Sequence, residues 1–532
     1  MQGFFGAYQI KKDWDLSNFA GPDYVKRTYE TGAFALTQVT LPKFLNDKYF
    51  VESQDCFLAT EGVLFKADSH DKAIEKYRNG ETTFWRNWRG AFCGVLYDKR
   101  EERLLLFNDH IGSKMLFYTL VNGQFVFASD LHRLAQSTGL HTPNEAFIRT
   151  LLDKGHSGDD TTFVQGIFRL NAGEYIQLDN GHFSRKPYYH FDNSPSIYEE
   201  EKMLGETNRL FRQAVERVIR KNEKEHLEHF FPLSGGLDSR MCQLVAHELA
   251  GAPITNFTYS QSGHYDHLLP EQISAALGNK WQFTPLDGGD YLTQIDEIAS
   301  ATEWLVNYNG PSEIYAFAAK QDWKQKGIVL TGVNGDNILS VITDKRHEIP
   351  LLYSLSFAGN GLGSPLVLQH YTETYSPFCD VDFLEYILHI PTIKRHNYRF
   401  YDKWIKRYYP QAMKWHHKYE QIGHRKAIVT IAGRDIPLRD LPKRLVMFAL
   451  KKMHIYDAYR QQADSMNPYD VWAKSNPKLN DALNAYYAKH KHLLPKRFAA
   501  ACETKMRIGS ITEKNKVLTI LSALKALADN GE

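Results

Sequence analysis

The sequence has few cysteines, almost no net charge and no long apolar run. Its net charge is +2, from 64 basic and 62 acidic residues, which gives no reason to expect nucleic acid as a partner. No window approaches the roughly 18 uninterrupted apolar residues of a membrane span, and the apolar stretch over residues 1–6 is too short for a signal peptide. These absences predict a cytoplasmic protein that binds neither nucleic acid nor membranes. The five cysteines show neither metal-site spacing nor a disulfide framework, and they stand at positions 56, 93, 242, 379 and 502.

The most informative pattern of the chain lies between residues 230 and 239. The apolar run Phe230–Leu233 leads directly into Ser-Gly-Gly-Leu-Asp-Ser, residues 234–239. A buried strand that reaches two adjacent glycines is expected to turn there and to continue as a helix that begins near Asp238. The pattern is not a Walker loop, which needs Gly-x-x-x-x-Gly-Lys-Ser/Thr. An ordinary strand–turn–helix corner is the alternative, but the six residues together favour a binding loop.

The residue types of this loop suit a pyrophosphate group and a metal ion. Glycines without Cβ atoms let backbone N–H groups approach an anion, and the serine hydroxyls and the positive end of the helix add further donors. A carboxylate at this place would repel phosphate unless it held a cation such as Mg²⁺, so Asp238 is the predicted metal ligand. The predicted nucleotide-binding residues of the loop are Leu233, Ser234, Gly235, Gly236, Leu237, Asp238 and Ser239.

Two kinds of pattern divide the chain at about residue 195. Before it, aromatic and β-branched runs broken by Gly, Asn and Asp predict short strands joined by tight turns. After it, helical stretches alternate with short strands, which predicts a parallel α/β sheet, and the chain beyond about residue 440 is expected to be mostly helical. Residues 191–196 are the best linker candidate. The expected strands are 92–97, 104–107, 125–128, 229–233, 254–259 and 328–331, the turns 98–100 and 122–123, and the helices 201–221, 239–250 and 268–277.

The order of these elements and four motifs resemble asparagine synthetase. Residues 1–6 resemble the family start Met-Cys-Gly-Ile-Phe-Gly, and residues 90–129 resemble its Gly-x-Phe…Tyr-Asp…Arg-Asp…Gly…Lys-Pro-Leu-Tyr…Ala-Ser-Glu pattern. Ser-Gly-Gly-Leu-Asp-Ser resembles the PP-loop of ATP pyrophosphatases, and residues 373–380 resemble Glu-x-Arg-x-Pro-Phe-Leu-Asp. The resemblance implies an α/β protein, α+β overall. An amidotransferase-like Ntn-type αββα sandwich (1–192) is expected to precede a PP-loop parallel α/β domain (200–532) of the adenine nucleotide α-hydrolase type.

The chain departs from the family at the residue that would hydrolyse glutamine. Active members carry a cysteine at position two, whose thiolate attacks the glutamine amide, whereas this chain has Gln2, and a carboxamide is not a nucleophile. The family's Arg-His-Arg-Gly-Pro-Asp run is missing, and its Asn-Gly-Glu turn is reduced to Thr60-Glu61-Gly62. A misassigned start codon is the alternative, but Gln2 already has the family spacing from Gly3 and Gly6. The N-terminal domain is therefore expected to keep the fold without glutaminase activity.

The resemblance implies further residues of a nucleotide site. Residues 331–336, Thr-Gly-Val-Asn-Gly-Asp, resemble the family's Ser-Gly-x-Gly-x-Asp, so Thr331 and Gly332 are expected at the adenosine pocket. Asp336 is expected as the second Mg²⁺ carboxylate beside Asp238, and helix capping is its alternative role. By the same analogy the backbone near Tyr259 reads the adenine edge, unless it is plain strand core. Val333 stands where the family often has Glu or Tyr near the acyl acceptor, which indicates that the acceptor is handled differently here.

Two residues are candidates for catalysis. Lys418 lies in Pro410–Gln421, which resembles the family's Pro…Trp-Arg-Gln-Lys-Glu-Gln, and a lysine there would stabilise the developing oxyanion. A solvated surface lysine is its alternative. Glu373 is a candidate to orient or deprotonate the attacking amine, and a structural ion pair is the alternative for it. Asp380 and Asp382 are expected to begin a helix.

These features favour an ATP- and Mg²⁺-dependent ligase that adenylates a carboxylate and transfers the acyl group to an amine. β-Lactam synthetase and the lasso-peptide cyclases resemble the chain in this logic, and a secondary-metabolite, peptide or sugar substrate is favoured over aspartate with glutamine. Three alternatives stay open: asparagine synthesis from ammonia, glutaminase activity supplied by a partner, and a catalytically silent nucleotide-binding scaffold. The expected partners are small-molecule or peptide carboxylates and amines, and a homodimer or a biosynthetic-pathway partner.

Overall fold

The computed structural model describes residues 2–9, 24–341, 345–395, 398–415 and 465–529. Between residues 416 and 464 it describes the backbone of one two-stranded ladder and of a few further positions.

The described residues before 190 form two six-stranded antiparallel sheets. The strands are β1 (Gly3–Tyr8), β2 (Val25–Glu30), β3 (Phe34–Thr40), β4 (Phe50–Glu52), β5 (Cys56–Lys66), β6 (Arg89–Asp98), β7 (Arg103–Asn108), β8 (Phe117–Val121), β9 (Gln124–Ala128), β10 (Phe168–Arg169), β11 (Glu174–Asp179) and β12 (His182–Pro187). Their order is β10-β8-β9-β1-β3-β2 in one sheet and β12-β11-β7-β6-β5-β4 in the other.

The two sheets pack face to face over a shared apolar core. Phe4 and Phe34 from the first sheet meet Phe57, Val95 and Leu106 from the second, and all are buried. Helix α1 (His70–Arg78) covers the outer face of the second sheet, and helices α2 (Leu131–Thr138) and α3 (Glu145–Lys154) cover that of the first. This is the αββα sandwich that the family resemblance implied.

The predicted hairpins are also present. Asn122 and Gly123 join β8 to β9 with φ values of 52° and 74°, the left-handed pair that a tight hairpin turn requires. Strands β6 and β7 contain the predicted runs 92–97 and 104–107, and β9 contains 125–128. Each observed strand extends beyond its apolar run because polar residues at its ends continue the hydrogen-bonded ladder.

The second half of the chain is built on parallel strands. β13 (His229–Pro232), β14 (Ile254–Ser260) and β15 (Lys280–Pro285) form one sheet, and β16 (Val329–Leu330) pairs with β17 (Thr374–Tyr375). Helices up to residue 408 are α4 (Glu200–Lys224), α5 (Leu237–Leu249), α6 (Tyr265–Leu277), α7 (Ile295–Ser300), α8 (Asn309–Ala318), α9 (Lys345–Leu351), α10 (Gly363–Leu368), α11 (Val381–Leu388), α12 (Thr392–Arg395) and α13 (Arg399–Tyr408). Strands β18 (Ile428–Ile431) and β19 (Arg434–Pro437) form the separate ladder.

The predicted elements of this half are found with shifted ends. Helix α6 begins at Tyr265, earlier than the expected 268, and the expected strand 328–331 is reduced to the two residues of β16. Strand β15 escaped prediction because its side chains are only half-buried at the sheet edge and show no apolar run. Asp380 accepts the N–H groups of Asp382 and Phe383, so it caps α11 as predicted.

The described part of the chain end is helical. Its helices are α14 (Tyr469–Ser475), α15 (Pro477–His490), α16 (Lys496–Ile508) and α17 (Ile511–Asp529). No single helix among the described residues is long and apolar enough to cross a membrane. One pair bent by 40°, Lys345–Phe357 with Asn360–Leu368, passes by length and composition alone.

Residues 188–199, between β12 and α4, contain neither helix nor strand, and the predicted linker falls inside them. The two halves of the chain, before and after this segment, also contact each other directly. Lys43, just after β3, donates from Nζ to the carbonyl oxygens of Trp323 and Lys326, at 2.8 Å each, and to the Thr372 hydroxyl at 3.2 Å. The first half therefore packs against the segment from which β17 begins.

Candidate active site

The loop after β13 lies at the carboxyl end of the parallel strands. β13 ends at Pro232 and α5 begins at Leu237, close to the predicted start at Asp238. Gly236 stands at the N-cap of α5 with extended backbone. A Cβ at Gly235 would approach the Tyr265 ring to 2.5 Å, so glycine is needed there for packing against α6.

Two amides of the loop are hydrogen-bonded within the protein. The Gly235 N–H donates to Asp266 Oδ1 at 2.7 Å, and the Gly236 N–H donates to the Ser234 hydroxyl at 3.2 Å. The Ser239 hydroxyl lies 3.0 Å from the Ser234 hydroxyl and accepts a hydrogen bond from the Ser234 N–H at 3.1 Å. The glycine amides are thus not open to an anion as the sequence suggested. The serine hydroxyls, which can rotate, and the α5 N-terminus are the donors that an anion meets first.

A cavity of about 690 Å³ opens beside this loop. It is formed where the carboxyl ends of β13, β14 and β16 meet, which is the usual ligand position in an open α/β sheet. Every nucleotide- and metal-binding residue predicted from the sequence lines it: Leu233, Ser234, Gly235, Gly236, Leu237, Asp238, Ser239, Tyr259, Thr331, Gly332 and Asp336. The sequence therefore identified residues from three separate segments that the fold brings together.

Asp238 and Asp336 form a close acidic pair in this cavity. The Asp336 N–H donates to Asp238 Oδ2 at 2.9 Å, and the Tyr401 hydroxyl donates to Asp238 Oδ1 at 2.8 Å. Burial, with a smaller contribution from the Asp336 carboxylate, raises the pKa of Asp238 to about 7. An acidic pair that costs this much to ionise is suited to a cation.

The glycines of the loop 331–336 allow this loop to pack closely against the N-terminus of α5. A Cβ at Gly332 would lie 2.6 Å from the Ser239 backbone nitrogen, and one at Gly335 would lie 2.4 Å from the Asp238 carboxyl carbon. Gly332 lines the cavity, and its lack of a Cβ also permits its loop to approach the α5 N-terminus. That approach creates the acidic pair.

The donor set fits Mg²⁺ held together with phosphate oxygens. Among the described residues, no group of three or more His, Cys, Asp or Glu could hold a metal alone. Two carboxylates leave coordination positions for water and phosphate, which is how proteins commonly bind Mg²⁺. Asp238 and Asp336 would hold the ion, whose charge would offset that of the phosphates.

Two further residues, Tyr401 and Asp266, shape the site. Tyr401 lies on α13, 163 positions from Asp238, and no local pattern marks it. Asp266 follows His264, the N-cap of α6, whose ring accepts the Asp266 N–H. Asp266 binds the Gly235 amide and fixes the loop.

The two predicted catalytic residues fall elsewhere. Lys418 lies outside the described residues. Glu373 is not among the described residues that line the cavity. It lies behind β17, with its side chain 1% exposed, and contacts Lys114 at 2.5 Å and Lys48 at 3.5 Å. This geometry corresponds to the ion-pair alternative, and the amine-orienting role of Glu373 stays a prediction.

Gln2 contacts the same ion pair. Its amide nitrogen donates to Glu373 at 3.3 Å, and its oxygen accepts from the Leu41 N–H at 3.4 Å. Glu61 completes the group, 3.4 Å from Lys48. Burial opposes charge, but the mutual attraction of the pair outweighs it, so the pKa of Lys114 is raised and that of Glu373 lowered. We call Gln2, Lys48, Glu61, Lys114 and Glu373 the interdomain cluster.

Comparisons with known proteins agree with this architecture. Residues 57–189 match the family model of a glutamine amidotransferase domain, and residues 206–358 match that of asparagine synthase. The amidase chry2 of Gibberella zeae is 25% identical over 48% of this chain and 35% of its own length. Asparagine synthetase [glutamine-hydrolyzing] 1 of Bacillus subtilis is 22% identical over 55% of this chain and 46% of its own length.

The chain thus spans less than half the length of these curated relatives. A solved NMN synthetase from Francisella tularensis aligns with 13% identity and a TM-score of 0.20, over 37% of this chain and 74% of that one, which is too distant to support more. The two family matches stand in the order that the resemblance implied, on an αββα sandwich and on a PP-loop domain. The chain is therefore an asparagine synthetase-like protein.

Proposed function

We propose that the chain is an ATP-dependent ligase that forms an amide through an acyl adenylate. The observation that carries the proposal is the meeting of the PP-loop, Thr331–Gly332 and the Asp238–Asp336 pair around one cavity. In the proposed reaction a substrate carboxylate oxygen attacks the α-phosphorus of ATP, the bond to the β-phosphate oxygen breaks, and pyrophosphate leaves. An amine nitrogen then attacks the acyl carbon, loses a proton, and AMP departs.

The described residues divide this work among themselves. The Ser234 and Ser239 hydroxyls and the α5 N-terminus face the cavity and are suited to the phosphates. Asp238 and Asp336 would hold Mg²⁺, which supplies charge neutralisation when bound. Asp266 keeps the loop in place through the Gly235 amide. Lys418 stays the proposed cation for the oxyanion.

The N-terminal half is proposed to lack glutaminase activity. Gln2 replaces the nucleophile, and its side chain is 3% exposed and hydrogen-bonded to Glu373 and Leu41. The nitrogen then comes from an amine of the substrate, from free ammonia or from a partner. No glutamine hydrolysis by this chain is needed for the proposed reaction.

The cavity wall favours a substrate other than aspartate. Its described apolar residues include Ile314, Val333 and Leu368, and its described charged residues are all acidic. A free amino acid carries an α-carboxylate that needs a cationic partner. We propose a carboxylate attached to a larger apolar body, such as a peptide or secondary metabolite.

Pyrophosphate release from Mg·ATP, measured against a panel of carboxylates, tests the proposal. Release of pyrophosphate and AMP that depends on one carboxylate, and that falls by about 10²–10³-fold in Lys418→Ala, is expected. Arg407→Ala, which removes an exposed charge paired with Glu201, is the control and should be unchanged. Absence of release with every carboxylate, despite measurable ATP binding, would contradict the ligase and support a nucleotide-binding scaffold.

A further inference from the structure

The interdomain cluster is enclosed between the two halves of the chain. The side chains of Lys48, Glu61, Lys114 and Glu373 are 0%, 1%, 5% and 1% exposed. Three of them belong to the amidotransferase-like half, and only Glu373 comes from the second half. Each of these charges is paired with one of opposite sign, which is the condition under which buried charges are tolerated.

Several neighbouring contacts keep the charges in fixed positions. The Gln38 amide and the Thr40 hydroxyl each donate to Glu61 at 2.8 Å. Gly62, with φ at 109°, leaves the space that the Lys114 side chain uses, since a Cβ there would lie 2.9 Å from its Cε. The first half therefore presents two buried ammonium groups to Glu373.

The backbone around Glu373 holds the loop that lines the cavity. The Val329 N–H donates to the Glu373 carbonyl at 2.8 Å, and the Thr331 N–H donates to the Tyr375 carbonyl at 2.9 Å. The Ser376 hydroxyl donates to the Val333 carbonyl at 2.7 Å. Three alternate residues that lead into and through the loop, Val329, Thr331 and Val333, are thus hydrogen-bonded to the segment 373–376.

The same loop completes the acidic pair. Gly332 packs against the α5 N-terminus, and the Asp336 N–H donates to Asp238. β16 and β17 pair over only two residues each, so their own ladder supplies few hydrogen bonds to fix the loop. A side-chain contact that fixes the start of β17 therefore contributes strongly to the position of the loop.

We propose that Glu373 is a positioning residue: by binding Lys114, Lys48 and Gln2 it lets the amidotransferase-like half fix the nucleotide loop 331–336 of the other half. On this view the first half acts on the synthetase site as a rigid support, through one carboxylate, in place of supplying ammonia. The inference rests on the proposed nucleotide site for one of its two readouts, and the other readout needs no nucleotide.

The test compares two charge-balanced double variants. Glu373→Gln with Lys114→Met removes the link and leaves Lys48 paired with Glu61. Asp47→Asn with Lys221→Met removes another cross-domain ion pair, of 2.6 Å and with side chains 9% and 11% exposed, in which Glu373 takes no part. Amide hydrogen exchange of peptides covering residues 328–334 is measured without nucleotide, and Mg·ATP affinity is measured by calorimetry.

The expected result is specific to the first variant. Its 328–334 peptides exchange about tenfold faster than in the wild type and in the control, and its Mg·ATP affinity falls about tenfold, while both variants lose similar thermal stability. Equal exchange and affinity in the two variants would overturn the proposal. If the first variant does not fold, Gln2→Ala takes its place. Faster amide exchange in the same peptides is then expected, and unchanged exchange would contradict the proposal.

The two readouts separate this inference from the proposed function. A wild-type protein that does not bind Mg·ATP would count against the ligase. The exchange comparison would still decide whether Glu373 positions the loop.

Discussion

The hydroxyl of Tyr401 donates a hydrogen bond to Asp238 Oδ1 across 2.8 Å, from a helix 163 residues further along the chain. It is the side-chain donor to a carboxylate whose other oxygen accepts the Asp336 N–H. Because the bond favours the ionised form of Asp238, Tyr401 supports the charge that a metal ion needs.

Replacement of Tyr401 by phenylalanine is expected to weaken Mg·ATP binding. Loss of the hydrogen bond leaves Asp238 harder to ionise, and a bond to a charged group contributes about 1.5–3 kcal/mol, so affinity should fall by about tenfold or more at pH 7. Calorimetric titration measures it. Tyr386→Phe, which removes a hydroxyl bonded to the Lys202 carbonyl far from the site, is the control. Equal affinities in Tyr401→Phe and the wild type would contradict the role.

Mg·ATP affinity is expected to depend on pH through Asp238. The pKa of this carboxyl is about 7 in the nucleotide-free protein, chiefly because it is buried, and metal binding requires the ionised form. Affinity should therefore fall by up to about tenfold per pH unit below pH 7 and level off above pH 8. Titrations between pH 5.5 and 8.5 follow the change, and a flat profile would show that Asp238 does not bind the metal.

The same raised pKa has a consequence for stability. The pKa of Asp238 is higher in the folded protein than in the unfolded one, so the folded protein binds more protons. Its contribution to the free energy of unfolding is therefore fully present below pH about 4 and is lost as the pH rises through about 7, where the buried carboxylate must ionise. Asp238→Asn removes the ionisable group and with it this loss of stability at high pH. At pH 8, without metal, it should be more stable than the wild type by about 1 kcal/mol or more, and the gain should vanish near pH 4. Urea unfolding at both pH values measures the difference.

Restoring a thiol at position two is not expected to restore glutaminase activity. In Gln2→Cys the new thiol would lie beside Glu373, the carboxylate that Gln2 contacts, which stays paired with the buried Lys48 and Lys114. The family's glutamine-binding run is also missing. Glutamate release from glutamine, measured on protein whose intact mass confirms the substitution, should equal that of the wild type. Release that rises with enzyme concentration would show that the amidotransferase site remains open.

A methyl group at Gly332 is expected to disrupt the acidic pair. The new Cβ would lie 2.6 Å from the Ser239 backbone nitrogen, so the loop must shift away from α5, at a cost of about 1–3 kcal/mol. Gly310→Ala is the matched control, because a Cβ at that position would have no neighbouring atom within 4 Å among the described residues and alanine is the better helix former. Thermal unfolding and Mg·ATP titration should show losses in the first variant alone.

The sequence predicted the parts of the site that local patterns encode. The apolar strand that leads into Ser234–Ser239 is such a pattern, whereas Thr331–Asp336 was identified by its resemblance to a family motif; residues of both segments line one cavity. Tyr401 could not be predicted, because its contact with Asp238 arises from helix packing between distant segments. The direction of Glu373 was equally hidden, since the strand that it precedes has only two residues and shows no alternation.

Fold prediction met the same limit. Apolar runs predicted several strands and the family resemblance implied the αββα layers, whereas the half-buried β15 was not predicted and the run 328–331 forms only the two-residue β16. Motif order identified the two domains. How they touch is decided by Lys43, Lys114 and Glu373, single polar residues that carry no periodic signal.

The binding of Lys43 by carbonyl oxygens of the second half limits how this protein can be recombined. Its ammonium group binds the backbone of Trp323, Lys326 and Tyr371 as well as the Thr372 hydroxyl. A chimera that grafts a different first half onto this synthetase half would leave those carbonyls facing an unmatched surface. Exchange of modules between relatives must therefore carry the lysine along with its acceptors, and the boundary for such engineering is this contact and not the linker.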